Sequence, residues 1–160
     1  MTQVFLGLGS NLEREKNIRA GLAALKDIFG ALQLSPLYES ESIGFKGSHF
    51  YNMVVSLDTD LRLADLSETL KRIEDENGRV RSGPKYSPRS LDIDILTYGD
   101  FVGIEAGIEL PRDEIVLNAF VLLPLAKLAP HQNHPRLNCT YSDLWEAYNK
   151  ESQSLWEVPF

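Results

Sequence analysis

GRVRSGPKYSPRSLDIDIL, residues Gly78 to Leu96, packs Arg79, Arg81, Lys85 and Arg89 into a loop bearing glycine and proline, then runs into an apolar strand with Asp92 and Asp94. Strand residues two apart point to the same face, so the two aspartates sit side by side while Leu91, Ile93 and Ile95 turn the opposite way into a core. Adjacent carboxylates repel. On a half-buried strand they persist when one is protonated, when cations bridge them, or when both are well solvated. The cation reading fits this stretch best, because oxygen-only ligands suit Mg²⁺, which takes one or two carboxylates together with substrate phosphates. The upstream arginines can then hold the remaining phosphate charge. The alternative is an exposed edge strand whose two aspartates are salt-bridged.

Outward from this strand, the hydrophobic period dictates the neighbouring elements. Leu63, Leu66, Leu70 and Ile73 recur at helical spacing, with Asp60 near the start and Gly78 past the end. Phe50 to Leu57, FYNMVVSL, has the aromatic and β-branched content of a strand. A loop covers Glu39 to Ser48, and Leu32 to Tyr38 reads as another strand, in which Pro36 implies a sheet edge or a bulge. Ile18, Leu22, Leu25 and Phe29 mark a helix stopped by Gly30, and Val4 to Leu8 is a strand entering Gly9-Ser10-Asn11. The order β-α-β-β-α-β predicts an α+β fold, a ferredoxin-like antiparallel sheet with two helices on one face.

Beyond this core the chain predicts an extended pair around Phe101 to Leu110 and a helix from about Leu117 to Leu128, with Pro124 inside it. Proline there should kink or shorten the helix. A last helix spans Tyr141 to Asn149, with Leu144, Trp145 and Tyr148 on one side as core. These are the additional C-terminal helices of the expected fold. No repeat or long linker divides the chain, so residues 1–160 are expected to form a single domain.

The net charge of −7 argues against a general nucleic-acid binder. Lone Cys139 excludes an internal disulfide and a cysteine-rich zinc site. The N-terminal stretch has no basic segment before its apolar run, and no run is long enough for a membrane span; the chain is expected to be cytoplasmic and monomeric. Gly7-Leu8-Gly9-Ser10-Asn11 lacks the third glycine of a dinucleotide fingerprint and the Lys-Ser/Thr of a P-loop, and reads as a tight turn. His49, His131 and His134 have no metal-ligand spacing and read as surface or loop residues. Glu74-Asp75-Glu76 closes a helix where negative charge opposes the macrodipole, which suggests a solvated face or a partner for the following arginines.

Several stretches together, GLGSN (Gly7–Asn11), FYNMVVSL, GRVR, PRSLDIDIL and the late NAFVLLPLAKLAP, resemble the 6-hydroxymethyl-7,8-dihydropterin pyrophosphokinases of folate biosynthesis. The resemblance covers nearly the whole length, and its PR-x-LD-x-D block is highly specific. It implies a ferredoxin-like α+β fold and transfer of the β,γ-pyrophosphate of ATP to the hydroxymethyl group of a reduced pterin, with release of AMP. ATP and the pterin would be the partners, without nucleic acid or membrane.

The same resemblance assigns roles. Asp92 and Asp94 would be ligands of two Mg²⁺ ions that bridge the ATP phosphates and orient the pterin hydroxyl. Arg79 and Arg89 would bind the transferring phosphates, making these four the catalytic set. Phe50 and Phe120 would sandwich the pterin, Asn52 would read its polar edge, the backbone of the loop with Ser40 and Ile43 would close its pocket, and Asp92 would also bind it. Glu74, Arg81, Tyr86 and Arg112 would join the nucleotide site, Arg81 and Tyr86 from a closing loop. The chain departs from the pattern at Arg112, where a histidine is common, at Asn118, where an arginine is common, and at Tyr86, where a tryptophan is frequent. Two other readings stay open: a paralogue with altered nucleotide use, and a two-metal nucleotidyl transferase on a similar sheet, which would release pyrophosphate instead of AMP. A ferredoxin-like RNA-binding module is disfavoured by the charge and by the missing aromatic RNP1 pattern.

Overall fold

The computed structural model describes residues 1–41, 49–77 and 90–160. In chain order the elements are β1 (Thr2–Ser10), α1 (Arg14–Phe29), β2 (Gln33–Leu34), β3 (Leu37–Ser40), β4 (Phe50–Thr59) and α2 (Leu63–Glu76), then β5 (Asp92–Tyr98), β6 (Gly103–Glu105) and β7 (Ile108–Leu110). They end with α3 (Glu114–Leu117), α4 (Ala119–Leu128), α5 (Tyr141–Ala147) and β8 (Leu155–Val158). An antiparallel sheet runs in the order β5-β1-β4-β3-β8, with β2 also on β4, and β6 and β7 form a separate two-stranded ribbon. The first and last strands of the β-α-β-β-α-β unit thus lie together at one side, the ferredoxin-like order expected from the sequence.

Alternation along the strands divides the core between the two faces. Val4, Leu6 and Leu8 of β1, Met53 and Val55 of β4 and Ile93 and Ile95 of β5 pack with Ile18 and Leu25 of α1 and with Leu66, Leu70 and Ile73 of α2. Leu91 joins them, as its spacing predicts. Each fully buried aliphatic side chain of this kind contributes roughly 1.5–3 kcal/mol. Phe5, Val54 and Leu96 face the other way and pack against Ile115, Val121, Leu122, Leu125 and Tyr141 of the C-terminal helices. The pairing of β1 with β5 shifts between Phe5 and Leu6, which leaves Leu96 as an extra residue beside Leu6↔Ile95 and Phe5↔Thr97. Such a bulge locally bends and twists its strand.

Several boundaries differ from the sequence expectation. The strand expected from Leu32 to Tyr38 is broken into β2 and β3: Leu34 faces Val55 and Tyr38 faces Asn52, so one residue is extra on this side, at the Pro36 bulge. The Ser35 hydroxyl fills that gap by accepting the Val54 amide hydrogen at 2.9 Å. Gly9 and Ser10 are not a turn but the end of β1. The helix expected from about Leu117 to Leu128 is α4, which continues past Pro124 with Leu122, Pro124, Leu125 and Ala126 buried along it; the short α3 before it, separated from it at Asn118, whose backbone is extended (φ −123, ψ 124), has no counterpart in the sequence expectation. Asp60 does not cap α2; Arg62 holds that position without a side-chain cap. The final helix stops at Ala147, and β8 was not anticipated.

Candidate active site

The register of the central strands builds a row across the sheet. Asp92 on β5 lies opposite Gly9 on β1, Gly9 opposite Asn52 on β4, and Asn52 opposite Tyr38 on β3. Directly opposed residues share a face, so these side chains rise from one side with none on Gly9 between Asp92 and Asn52. The next row contains Asp94 opposite Gly7 and Gly7 opposite Val54, and on the other side Phe50 lies opposite Ser40. Asp92, Asp94, Asn52, Phe50 and Ser40 therefore share the sheet face that α3 and α4 cover farther along.

The two glycines make the floor of this site. A Cβ on Gly9 would stand 3.0 Å from Asn52 Oδ1 and 3.9 Å from Phe50 Cδ1. Any side chain here would enter the space that Asn52 and Phe50 border. At Gly7 a Cβ would meet only Leu96 side-chain carbons, at 3.6 Å and beyond, an ordinary contact. The buried Asn52 amide is oriented by donating to Ser40 Oγ at 3.1 Å. The neighbouring Tyr38 hydroxyl is buried without a hydrogen-bond partner among the described residues. Burial, reinforced by the charge of Glu157, pushes its pKa up to about 12.

On the β5 side the cationic neighbour is Arg112. Its backbone N–H donates to Leu96 O at 2.9 Å, its Nη2 donates to Glu114 Oε1 at 2.9 Å, and the same nitrogen lies 3.7 Å from Asp94 Oδ1. Burial opposes the guanidinium charge, but the carboxylates of Asp94 and Glu114 outweigh it and strengthen the proton's hold. Glu74 is not on a solvated face: it is buried at the end of α2, and its Oε2 accepts the Ile93 amide hydrogen at 2.8 Å. Asp75 and Glu76 beside it are exposed, as expected.

Phe120, on the first turn of α4, and Ser40 line a cavity of about 150 Å³ whose remaining wall is Glu41 and residues 152–155. Phe50 lies on the strand partner of Ser40. The structure thus groups Asp92, Asp94 and Arg112 at one end of the face, and Ser40, Asn52 and Phe50 at the other, with Phe120 reached across the cavity. Ile43, Arg79, Arg81, Tyr86 and Arg89 lie outside the described residues. Gly7 and Gly9, and Gln153 beside Phe120, were missed by the sequence reading as site residues. Glycines alternating within an apolar strand were the available signal for the first two.

The histidines stand apart from this face. His49 Nδ1 lies 3.1 Å from Glu39 Oε2, and Glu39 also takes Arg14 Nη1 at 3.2 Å. Burial works against that carboxylate, yet the hydrogen bonds from Arg14 and His49 hold it below the ordinary range. His134 lies in a loop, as one of the two expected readings has it, but is buried there, and its Nδ1 accepts the N–H groups of Arg136 and Leu137, each at 3.2 Å. Among the described residues no group of three or more His, Cys, Asp or Glu could hold a metal by itself. Two neighbouring carboxylates on one face are instead a donor set suited to Mg²⁺ that shares its remaining positions with phosphate and water. Among the described residues no helix is long and apolar enough to cross a membrane.

Residues 5–130 match the family model described as 7,8-dihydro-6-hydroxymethylpterin-pyrophosphokinase, abbreviated HPPK. The chain belongs to the HPPK family. Among its relatives, the 2-amino-4-hydroxy-6-hydroxymethyldihydropteridine pyrophosphokinase of Pseudomonas aeruginosa is 39% identical over 137 residues, covering 83% of this chain and 84% of that one. The protein of the same name from Porphyromonas gingivalis is 37% identical over 146 residues, 86% of this chain and 99% of that one. A crystal structure of wild-type Plasmodium falciparum HPPK-DHPS shares the fold with a TM-score of 0.69 and 18% identity, over 92% of this chain. This chain spans 43% of that longer one. HPPK membership thus rests on the sequence match, and the solved structure supports the α+β fold with its C-terminal helices.

Proposed function

We propose that the sheet face carrying Asp92, Asp94, Asn52 and Phe50 binds ATP and a reduced pterin side by side. The chain is an ATP-dependent pyrophosphokinase that transfers pyrophosphate to the hydroxymethyl group of 6-hydroxymethyl-7,8-dihydropterin in folate synthesis. The observation that carries the site assignment is the row Asp92, Gly9, Asn52. Its two polar ends are two strand spacings apart, about 10 Å, with a bare floor between them. That is the scale of a flat bicyclic ring with its hydroxymethyl arm. The Asn52 amide, pre-oriented by Ser40, is placed to read the polar edge of the ring. Phe50 and Phe120 supply flat apolar surfaces for its faces.

The arm then lies toward Asp92. Asp92 and Asp94 would hold Mg²⁺, which when bound supplies charge neutralisation for the ATP phosphates. Arg112 adds positive charge beside Asp94; Arg79 and Arg89 would bind the transferring phosphates, Arg81, Tyr86 and Glu74 the nucleotide, and Ile43 the pterin. Catalysis in this arrangement is positioning and charge stabilisation, since phosphoryl-type transfer leaves little covalent work for the protein. Two Mg²⁺ ions, a single domain over residues 1–160, a monomeric state and a cytoplasmic location complete the reading. The domain proposal is supported by β8, which joins the same sheet as β1.

The test is incubation with ATP, Mg²⁺ and 6-hydroxymethyl-7,8-dihydropterin, with separation of the nucleotides. Wild-type chain should release AMP. Asp92→Ala and Asp94→Ala should each lose turnover while keeping a cooperative melt. Release of pyrophosphate instead of AMP would transfer the site to nucleotidyl-transfer chemistry. Near-native turnover in either aspartate variant would remove the metal assignment.

A further inference from the structure

We infer that Gln153 is a positioning residue for Phe120, and that the segment from Ser152 to Leu155 is a wall of the pterin pocket. The inference rests on the reading of Phe120 as a pterin-stacking ring. It concerns a part of the chain beyond residue 130, where the family match ends.

Phe120 is the second residue of α4, directly after the break at Asn118, and α4 begins without a side-chain cap from Asn118. Helix N-termini leave their first N–H groups without intrahelical partners, so this start must be satisfied from elsewhere. Gln153 does so. Its Oε1 accepts the Ala119 N–H at 2.8 Å, and its Nε2 donates to Asn118 Oδ1 at 3.1 Å and to Leu117 O at 3.3 Å. A side-chain amide offers one carbonyl acceptor and two N–H donors, and here all three functions are spent on the three residues that precede Phe120.

The clamp is itself anchored next to the site. Two residues after Gln153, Leu155 pairs with Ser40 at the start of β8, and Ser40 is the hydroxyl that orients Asn52. One short segment therefore touches both sides of the cavity: the strand that ends in Ser40 and the helix that begins before Phe120. Ser152, Gln153, Ser154 and Leu155 all line that cavity with Ser40 and Phe120. The separation of the Phe120 ring from the Asn52–Ser40 pair is set by this strap. The strap also explains what Asn118 does in this chain: its Oδ1 is engaged by Gln153, so the residue braces the α3–α4 junction.

Steady-state turnover of the full chain, measured as AMP release with ATP and pterin each varied, tests the inference. Gln153→Ala should raise KM for the pterin about tenfold, the scale of one to two lost hydrogen bonds, with KM for ATP within about twofold of wild type. Gln153→Glu should recover most of the loss. Its carboxylate still accepts the Ala119 N–H, the Asn118 amide can turn to donate, and Leu117 O keeps the Tyr148 hydroxyl at 2.9 Å. Should Gln153→Ala not fold, Asn118→Ala removes the Asn118–Gln153 bond from its other end and should raise pterin KM about threefold. An unchanged pterin KM, equal rises for both substrates, or a lower melting temperature with unaltered kinetics would each overturn the positioning role while wild-type activity upholds the proposed reaction. A wild-type chain that releases no AMP would overturn the reaction and the inference together.

Discussion

The Glu74 carboxylate accepts the amide hydrogen of Ile93 at 2.8 Å, and Ile93 is the residue between Asp92 and Asp94. Among the described residues β5 ends the sheet, with β1 as its strand neighbour, so there its outward backbone groups face no other strand. A buried carboxylate from the end of α2 takes one of them and fixes the strand at the point where the two aspartates project. Helix α2 thereby sets the edge position of both Asp92 and Asp94.

Glu74→Ala should leave the Ile93 N–H unsatisfied and lower stability by about 1–3 kcal/mol. Turnover should fall further than stability alone explains, because Asp92 and Asp94 lose their fixed spacing. Glu74→Gln retains a carbonyl acceptor and should recover most of the stability. Denaturant melts of both variants, set beside AMP release, check this; equal stability in the alanine variant would show that the bond is not needed.

The glycines of β1 make a paired prediction. Gly9→Ala places a methyl 3.0 Å from Asn52 Oδ1, so the amide must shift away from Ser40 or the strands must part. Pterin KM should rise at least about tenfold, a loss of one well-placed polar contact. Gly7→Ala meets Leu96 side-chain carbons at 3.6 Å and should leave kinetics and stability within about twofold and 0.5 kcal/mol. Similar kinetics for the two variants would mean that the floor beside Asn52 is not the pterin site.

What the sequence disclosed follows from the range of the forces involved. Helices α1 and α2 and strands β1, β4 and β5 carry their period locally, and their order dictates the ferredoxin-like sheet. The side-by-side aspartates follow from the period of two. By contrast β8, Leu-Trp-Glu-Val, is four residues long with Trp156 and Glu157 exposed, so its pairing with β3 leaves no alternation to read. Burial of Glu74 was not legible because the bond from the Ile93 N–H comes from a strand distant in sequence, which no side-chain pattern records. The same holds for Gln153, whose three bonds all go to residues some 35 positions away.

Acid should destabilise the fold through His134. Its Nδ1 accepts two backbone N–H groups, which requires an unprotonated nitrogen, and burial followed by the Arg136 charge lowers its pKa below the ordinary 6.5. The unfolded chain therefore takes up the proton first. This contribution is complete above the unfolded value, begins to fade as pH falls below it, and is fully lost below the folded one. Wild-type melting temperature should drop between pH 7 and pH 5, with a smaller drop in His134→Asn, whose side-chain oxygen accepts hydrogen bonds without titrating. A His134→Asn protein with the same acid sensitivity as wild type would assign the loss to other groups.

The Arg112 guanidinium lies between Glu114, at 2.9 Å, and Asp94, at 3.7 Å, so it stands beside the carboxylates proposed to hold Mg²⁺. Glu114 holds its Nε and Nη2 on one carboxylate oxygen, which fixes the planar group. A cation so placed can add to the charge that the phosphates meet beyond Asp94. Arg112→Ala should raise KM for ATP about tenfold, the scale of a lost charge-assisted hydrogen bond, and leave pterin KM nearly unchanged because Asn52 and Phe50 lie two strands away. Arg112→Lys should fall between the two, since a single ammonium keeps the charge but not the fork that Glu114 orients. Substrate-specific KM values from AMP release decide it: a rise in pterin KM with ATP KM intact would place the nucleotide elsewhere on the sheet and return Arg112 to a bracing role between Glu114 and the strand.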